Sequence, residues 1–268
     1  MTTEKFLIKT GKGRAVKYQI SSFGRLNFEI DATEYCKTEA DKRFGFESFN
    51  FSIFDDATSF FYDEEILKMK LATDTYKNKT RNVSETIHKK ELERFIIELS
   101  WKSSRIEGNT YTLLDTEKLL KEGIEAVGKT KNEAIMIINH KKSFDFIYQN
   151  KELFKDISVS KIEEIHKILV RDLGVTNNLR SKPVGILGSK YRPLDNQFQI
   201  REALEKMCLA ISRMTDGFSM SLLLIVGISY IQPFEDGNKR TSRLLGNAIL
   251  LAYGFAPLSY RIVDEEKY

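Results

Sequence analysis

The sequence of 268 residues predicts a mainly α-helical fold with one small β-hairpin. After residue 85, apolar side chains recur at helical spacing, as in Leu92, Phe95, Ile96 and Leu99. Only one stretch of this region breaks the helical pattern. Two glycines and two prolines cluster between residues 180 and 200, which predicts a β-hairpin near residues 184–193.

Residues 1–80 differ in composition from the rest of the chain. They are rich in Phe and Tyr, and alternating stretches such as residues 49–54 favour short β-strands or an irregular segment wrapped on the core. We assign them to an N-terminal segment or small subdomain whose role the sequence does not indicate. The polar residues 73–84 are predicted to be a linker.

Residues 85–268 are predicted to hold the helical core. The first helix follows Ser84, whose hydroxyl can cap it, and ends near Gly108. Asp115 is the predicted cap of the next helix. Further helices are predicted over residues 131–150, 160–172, 201–214, 217–231 and 238–252.

The composition excludes several function classes. Lys and Arg number 42 against 38 Asp and Glu, and a net charge of +4 over this length is too small to predict a nucleic-acid partner. Cys36 and Cys208 lie far apart, so neither a disulfide framework nor a cysteine zinc site is expected, and a reducing, cytoplasmic location fits best. The N-terminus carries no secretory signal pattern. The uncharged residues 217–234 contain serines and a proline, which predicts a buried helix rather than a membrane span.

The loop between the last two predicted helices carries the clearest chemistry. Residues 232–243 read Gln-Pro-Phe-Glu-Asp-Gly-Asn-Lys-Arg-Thr-Ser-Arg. Gly237 permits a tight turn, and Arg240 and Arg243 share one face of the following helix. Helix-start N–H groups beside clustered guanidinium groups form an anion site suited to phosphates. Asp236, or Glu235, supplies a hard oxygen ligand suited to Mg²⁺. The alternative is a solvated helix start with surface charges only.

This loop resembles the signature of the Fic (Fido) family, His-Pro-Phe-x-Asp/Glu-Gly-Asn-Gly-Arg-x-x-Arg. The resemblance covers residues 85–268 and implies the Fic-type helical core. The matching residues of the loop are Pro233, Phe234, Asp236, Gly237, Asn238, Arg240 and Arg243.

Two upstream stretches resemble other motifs of the family, in the family's order. Residues 103–109, Ser-Ser-Arg-Ile-Glu-Gly-Asn, resemble the inhibitory pattern Ser/Thr-x-x-x-Glu-Gly/Asn, which one class carries on a helix before the core, here about residues 85–108. Residues 180–193 resemble the flap that docks a target segment by strand addition. The flap positions are Val184, Ile186, Gly188, Ser189 and Tyr191.

The resemblance implies transfer of AMP from ATP to a Ser, Thr or Tyr hydroxyl of a protein target, or of the chain itself. Asp236 would bind Mg²⁺, and Arg243 would clamp the γ-phosphate. The nucleotide-binding residues implied are Gly237, Asn238, Lys239, Arg240 and Arg243. Ser103 and Glu107, four residues apart on one helix face, would be the inhibitory pair. We therefore expect Glu107 to approach Arg243.

Two positions depart from the family pattern. Gln232 replaces the motif His, the general base, and a carboxamide cannot take a proton near neutral pH. Loss of a general base costs about 10²–10⁴ in rate. Lys239 stands where most adenylylating members have Gly, whereas the Doc branch, which phosphorylates its target, has Asn-Lys-Arg. We expect the Lys239 ammonium to extend into solvent.

Three functions therefore stay open at this point. The first is a weak Fic-type adenylyltransferase, the second a nucleotide- or partner-binding pseudoenzyme, and the third a Doc-like protein kinase. His88, His140 and His166 lie in other predicted helices, and none of them is predicted at the site. The sequence predicts neither the oligomeric state nor the identity of the target.

Overall fold

The computed structural model describes residues 6–55, 57–81, 83–186 and 188–263. These residues are mainly helical and include one two-stranded antiparallel sheet, so the predicted fold class is confirmed. The position of the sheet differs from the prediction, as described below.

The sheet lies in the aromatic-rich N-terminal segment. Strand β1 (Leu7–Thr10) pairs antiparallel with β2 (Lys17–Ile20), with Leu7 opposite Ile20. Two short helices follow, α1 (Ser22–Leu26) and α2 (Ala32–Lys37). The expectation of β-strands in this segment is therefore confirmed.

The alternating aromatic stretch at residues 49–54 is not a strand. It contains a 3₁₀ turn over Phe51–Phe54, because the Asn50 side chain accepts a hydrogen bond from the Ser52 N–H and tightens the chain. The turn directs Phe54 into the core, where it is buried. Local side-chain capping thus overrides the strand pattern.

The predicted linker at residues 73–84 is also wrong. Helix α3 (Asp63–Arg81) covers most of it, and residue 82 lies outside the described residues. The segment is polar but contains no Gly or Pro to break a helix, and the Glu, Leu, Lys and Ala residues that precede it in α3 are good helix formers. Polarity alone therefore gave the wrong prediction.

The remaining helices follow the sequence prediction closely. Ser84 caps the first of them through the Ile87 N–H, as expected. Thr112, rather than Asp115, caps the second, and Asp115 is the third helical residue of a reciprocal capping box. The helices are α4 (Glu85–Arg105), α5 (Leu113–Glu122), α6 (Lys131–Gln149), α7 (Val159–Leu169), α8 (Gln197–Ser212), α9 (Gly217–Ile231) and α10 (Asn238–Ala252).

Helices α9 and α10 pack against each other at the centre of the core. Gly246 makes this approach possible, because a Cβ there would lie 2.7 Å from Cγ1 of Ile225 on α9. Helices α6, α7 and α8 supply further buried apolar residues, and Phe54, Ala57 and Phe60 of the N-terminal segment join the same core. Among the described helices, none is both long and apolar enough to cross a bilayer.

The hairpin predicted at residues 184–193 does not form in the described part of that stretch. A turn closes between Ile186 and Ser189, with Gly188 at φ +73°, but no ladder joins its two arms. The Arg192 N–H instead donates to the Glu47 carbonyl (2.7 Å) and forms an isolated parallel bridge next to it. Pro183 and Pro193 flank the turn and have no N–H for a ladder, which accounts for the difference. We retain the name flap for residues 180–193.

Candidate functional site

The loop of residues 232–237 joins the two central helices and turns sharply at both ends. Gln232 follows α9 in the left-handed conformation (φ 50°, ψ 59°), and Gly237 precedes α10 in the same region (φ 81°). Glycine adopts this conformation without steric cost, whereas a glutamine is strained there and must be held by its surroundings. The loop therefore brings the N-terminus of α10, where the first N–H groups have no acceptor within the helix, next to the Gln232 side chain.

Both ends of the Gln232 carboxamide are engaged. Its Nε2 donates to the Ser229 carbonyl (2.7 Å), and its Oε1 accepts from Asn238 Nδ2 (3.0 Å). Asn238 also bonds the main chain of Phe234, donating to its carbonyl and accepting from its N–H. Asn238 thus braces the loop from inside, and Gln232 presents a neutral, fixed amide.

Arg240 is almost fully buried behind the loop, with 1% of its side chain exposed. Its Nη2 donates to Asp236 Oδ2 at 2.8 Å, while Nε and Nη1 are buried without a hydrogen-bond partner among the described residues. Burial lowers the pKa of Arg240, and Asp236 and Glu107 oppose that effect. A guanidinium with spare donors in a dry site favours an additional anionic partner.

Arg243 lies one turn further along α10 and is equally buried. Its Nη2 donates to Glu107 Oε1 (2.8 Å) and to the Ser103 carbonyl (2.9 Å), and its Nε donates to Ser103 Oγ (3.0 Å). The predicted approach of Glu107 to Arg243 is therefore confirmed. Helix α4 and the turn after it bring Ser103 and Glu107 to the base of the loop.

Asp236 and Lys239 lie on the solvent side of the site. Asp236 is 59% exposed, with one carboxylate oxygen outside its pair with Arg240. Lys239 is exposed in the first turn of α10, which agrees with the expectation that its ammonium extends into solvent. No group of three or more potential metal ligands (His, Cys, Asp or Glu) occurs in the described ranges. The exposed carboxylates of the loop are those of Glu235 and Asp236.

Two histidines that the sequence did not place at the site support it from below. The His166 ring stacks on Phe234 (3.6 Å between centroids, 3° between planes), and its Nε2 lies 2.9 Å from the Asp236 carbonyl. Burial lowers the pKa of His166 to about 4. His140 lies behind the arginines and contacts Ser100, and burial next to Arg243 and Arg240 lowers its pKa to about 3.

Neither histidine is available as a base at position 232. A carbonyl can only accept, so His166 Nε2 must donate its proton to Asp236, and His140 is completely buried. His88 lies near the start of α4, outside this constellation. None of the three histidines of the sequence therefore supplies a base beside Gln232.

The flap reaches the loop through two side chains. Arg180 donates to the Gln232 carbonyl from Nε (2.6 Å), and its backbone N–H donates to the Pro233 carbonyl (3.0 Å). Tyr191 donates its hydroxyl to the Tyr230 carbonyl (2.8 Å) and stacks on the Tyr230 ring at 4.6 Å. Val184 and Ile186 are half-buried, and Gly188 and Ser189 are exposed at the turn.

Sequence reasoning missed the supporting roles of Arg180, Tyr230, His140 and His166. Tyr230 stands two residues before Gln232, which is the only signal that could have drawn attention to it. Arg180 and the histidines lie on elements distant in the sequence, and only the packing of α6, α7 and the flap against α10 brings them to the loop.

Comparison with known proteins agrees with this geometry. The Fic/DOC family profile matches residues 156–250. The protein adenylyltransferase Fic of Nematostella vectensis is 28% identical over 172 residues, which cover 62% of this chain and 40% of that protein. The protein adenylyltransferase fic-1 of Caenorhabditis elegans is 24% identical over 169 residues, 61% of this chain and 33% of that protein. The chain thus spans well under half the length of these curated relatives.

Two solved structures share the fold. A fragment of Fic-1 from Caenorhabditis elegans superposes with a TM-score of 0.60 at 21% identity, covering 76% of this chain and 60% of that one. A Fic-domain-containing signalling protein from Bacteroides thetaiotaomicron gives a TM-score of 0.61 at 21% identity and covers 76% of each chain. The chain is thus similar to the Fic/DOC family over residues 156–250 and shares the fold of these Fic structures.

Proposed function

We propose that this chain is a Fic-type protein nucleotidyltransferase that binds Mg–ATP, is held closed by Glu107, and transfers AMP weakly to a protein hydroxyl because Gln232 replaces the general base. One observation carries the proposal. Two fully buried guanidinium groups, Arg240 and Arg243, stand behind a left-handed glycine at a helix start, and Glu107 binds the second of them. The names of the curated relatives support AMP transfer as the reaction.

The helix start accounts for phosphate binding. The first N–H groups of α10 have no helical acceptor and carry the positive end of the helix dipole. Arg240 adds donors beside them, and the exposed Lys239 adds none to the interior. Gly237, Asn238 and Arg240 would therefore hold the α- and β-phosphates.

The metal site fits the chemistry of Mg²⁺. This cation is commonly held by one or two carboxylates, with substrate phosphates and water completing its shell. Asp236 offers an accessible carboxylate oxygen on the solvent side of the anion site. Bound there, Mg²⁺ would neutralise phosphate charge and orient the α-phosphate.

The contact between Glu107 and Arg243 accounts for the proposed inhibition. Its carboxylate pairs with the Arg243 guanidinium, which would otherwise clamp the γ-phosphate. A γ-phosphate and the Glu107 carboxylate would compete for the same nitrogen. We therefore assign Ser103 and Glu107 an inhibitory role, relieved when the carboxylate moves away.

The chemical step lacks its base. Transfer of AMP requires the target hydroxyl to lose a proton as its oxygen attacks the α-phosphorus and the bond to pyrophosphate breaks. Gln232 is neutral, and both ends of its amide are already hydrogen-bonded. The pseudoenzyme remains a second candidate on this one observation, since such a site would bind nucleotide without transferring it.

Phosphoryl transfer by a Doc-like mechanism is the least supported alternative. It would require Lys239 to fill the anion site and present the γ-phosphate instead of the α-phosphate. Lys239 is exposed, and the pairing of Glu107 with Arg243 supports the adenylylating branch over the Doc branch. We therefore propose AMP transfer rather than phosphate transfer.

Labelled ATP tests the proposal. The Gln232→His, Glu107→Gly double variant is incubated with ATP carrying the label at either the α- or the γ-position, and protein adducts are identified by intact mass. Label from the α-position with the mass of AMP is expected. Transfer of the γ-label alone would make the protein a kinase, and ATP binding without any adduct would make it a pseudoenzyme.

A further inference from the structure

The C-terminal end of α9, immediately before the loop, leaves carbonyl groups without helical partners. The last four carbonyls of any helix have no i+4 N–H, so other groups must satisfy them. Here the Ile228 carbonyl still has an i+4 donor in the Gln232 N–H, and the Ser229 carbonyl accepts from the Gln232 side chain. The Tyr230 carbonyl in the last turn of α9, and the Gln232 and Pro233 carbonyls in the loop, accept from groups outside the helix.

All three of those carbonyls receive donors from the flap. Tyr191 supplies its hydroxyl to Tyr230, and Arg180 supplies Nε to Gln232 and its backbone N–H to Pro233. The two residues stand at opposite ends of the flap turn. The flap is therefore fastened at two points to the backbone that carries position 232.

The two side chains that fasten the flap make specific contacts, and Arg180 is buried whereas Tyr191 is half-buried. Arg180 is 1% exposed, and its Nη1 also donates to the Lys182 carbonyl, so one planar guanidinium bonds the flap and the loop together. The Tyr191 ring stacks on Tyr230, and Tyr230 stacks on Phe49 of the N-terminal segment at 4.7 Å. The Asn50 N–H donates to the Tyr230 hydroxyl at 2.9 Å, which fixes that ring from the other side.

We propose that Arg180 and Tyr191 are positioning residues that hold the flap in register with the catalytic loop, so that a target hydroxyl docked on the flap arrives at position 232. The proposal rests on the proposed function for the docking role of the flap. The coupling itself depends only on the hydrogen bonds between the flap and the end of α9. Neither side chain needs to touch the nucleotide.

Hydrogen exchange measured by mass spectrometry tests the coupling without any transfer activity. Tyr191→Phe removes one hydroxyl and should speed exchange about fivefold, both in the flap and in residues 232–238, because a hydrogen bond contributes about 1 kcal/mol. Tyr18→Phe, at a tyrosine on the exposed strand β2, is the matched control. Faster exchange in the flap alone, or in neither segment, would overturn the proposal.

Arg180→Lys provides the second arm. Lysine keeps the charge but cannot reproduce the planar set of donors, so exchange should rise in both segments, and Arg213→Lys at the exposed end of α8 should leave it unchanged. If Arg180→Lys unfolds the protein, Tyr191→Phe decides, because it deletes a single oxygen. Unchanged exchange in a folded Arg180→Lys protein would count against the proposal.

A kinetic readout separates positioning from general stability. In the Gln232→His, Glu107→Gly background, Tyr191→Phe should slow AMP-adduct formation about fivefold while ATP affinity stays within about twofold. An unchanged rate, or a loss of ATP affinity equal to the loss of rate, would overturn the positioning role. If the background itself forms no adduct, the proposed function fails, and the exchange measurements still decide the coupling.

Discussion

The two ends of the loop that joins α9 and α10 differ in the chemistry of the side chains that they present. At the α10 end, Arg240 and Arg243 are buried and each is paired with a carboxylate. At the α9 end, Gln232 is held by Ser229, Asn238 and Arg180 but cannot accept a proton near neutral pH. The comparison teaches that structural support and chemical competence are separable within the twelve residues 232–243.

A physical reason underlies this difference. The arginines at the α10 end help to hold the helix start in place, since removal of one partner would leave an uncompensated buried charge. The side chain at position 232 only has to fill its place and hydrogen-bond to Asn238. A glutamine satisfies those demands without supplying a base.

The largest expected effect comes from a histidine at position 232, where it could act as the general base of the proposed reaction. Gln232→His, combined with Glu107→Gly, should raise AMP-adduct formation by about 10²–10⁴, the usual contribution of a general base. Intact-mass time courses with Mg–ATP measure the gain, and Gln232→Asn in the same background serves as the control. Equal rates for the His and Asn variants would remove the missing base as the explanation.

The second largest effect is expected at the α10 end of the loop, where Glu107 pairs with Arg243. Glu107→Gly should tighten Mg–ATP binding about tenfold, because a charge-assisted bond contributes about 1.5–3 kcal/mol and the carboxylate of Glu107 is 24% exposed, which reduces its weight. Titration calorimetry gives the dissociation constants. Glu125→Gly, which removes an exposed carboxylate from a nearby loop, should leave them unchanged. Equal tightening in both variants would indicate a general charge effect instead of release of Arg243.

Lowering the pH should destabilise the protein through its two buried histidines, which support the two ends of the loop. His166 lies under Phe234 and His140 behind the arginines, and burial lowers their pKa values to about 4 and about 3. An unfolded histidine titrates near pH 6.5, so below that pH the unfolded chain binds more protons, and stability falls as pH decreases toward the folded values. Each histidine should contribute a loss of about 1.4 kcal/mol per pH unit.

Urea unfolding at pH 7, 6, 5 and 4.5 measures this dependence. His166→Gln should make the slope of unfolding free energy against pH shallower by about one proton, whatever its effect on stability at pH 7. A slope equal to that of the unmodified chain would show that His166 does not titrate as its burial implies. Loss of the whole dependence would assign it to His166 alone.

The smallest effect is expected at Lys239, which lies between the two ends. Lys239→Ala should change ATP affinity less than about threefold, because an exposed ammonium is screened and only weakly opposes the helix dipole. Lys131→Ala, also in an exposed first helical turn, is the matched control. A large loss of affinity, or a switch of label from the γ- to the α-position on substitution, would place the Lys239 ammonium inside the anion site.

Most helices after residue 85 could be predicted from the sequence, because caps and apolar spacing act over a few residues. Ser84, Thr130 and Asp216 cap their helices through neighbouring N–H groups. The predictions failed where hydrogen-bonding partners lie far apart in the sequence. The flap contacts residues 43–48 instead of its own other arm, since Arg192 donates to Glu47 and Arg43 donates to the Gly188 carbonyl.

The sequence by itself determined the chemical inventory of the site: a glycine turn, two arginines one turn apart, an acidic residue before them, and a glutamine where the base belongs. Those features follow from residue type and short spacing, which the chain fixes directly. The tertiary structure alone decided the environment of each group. It paired Glu107 with Arg243, placed His166 beneath the loop without a proton-accepting role, and fastened the flap through Arg180. Those outcomes depend on packing between elements 50 to 140 residues apart, where no local periodicity or capping rule applies.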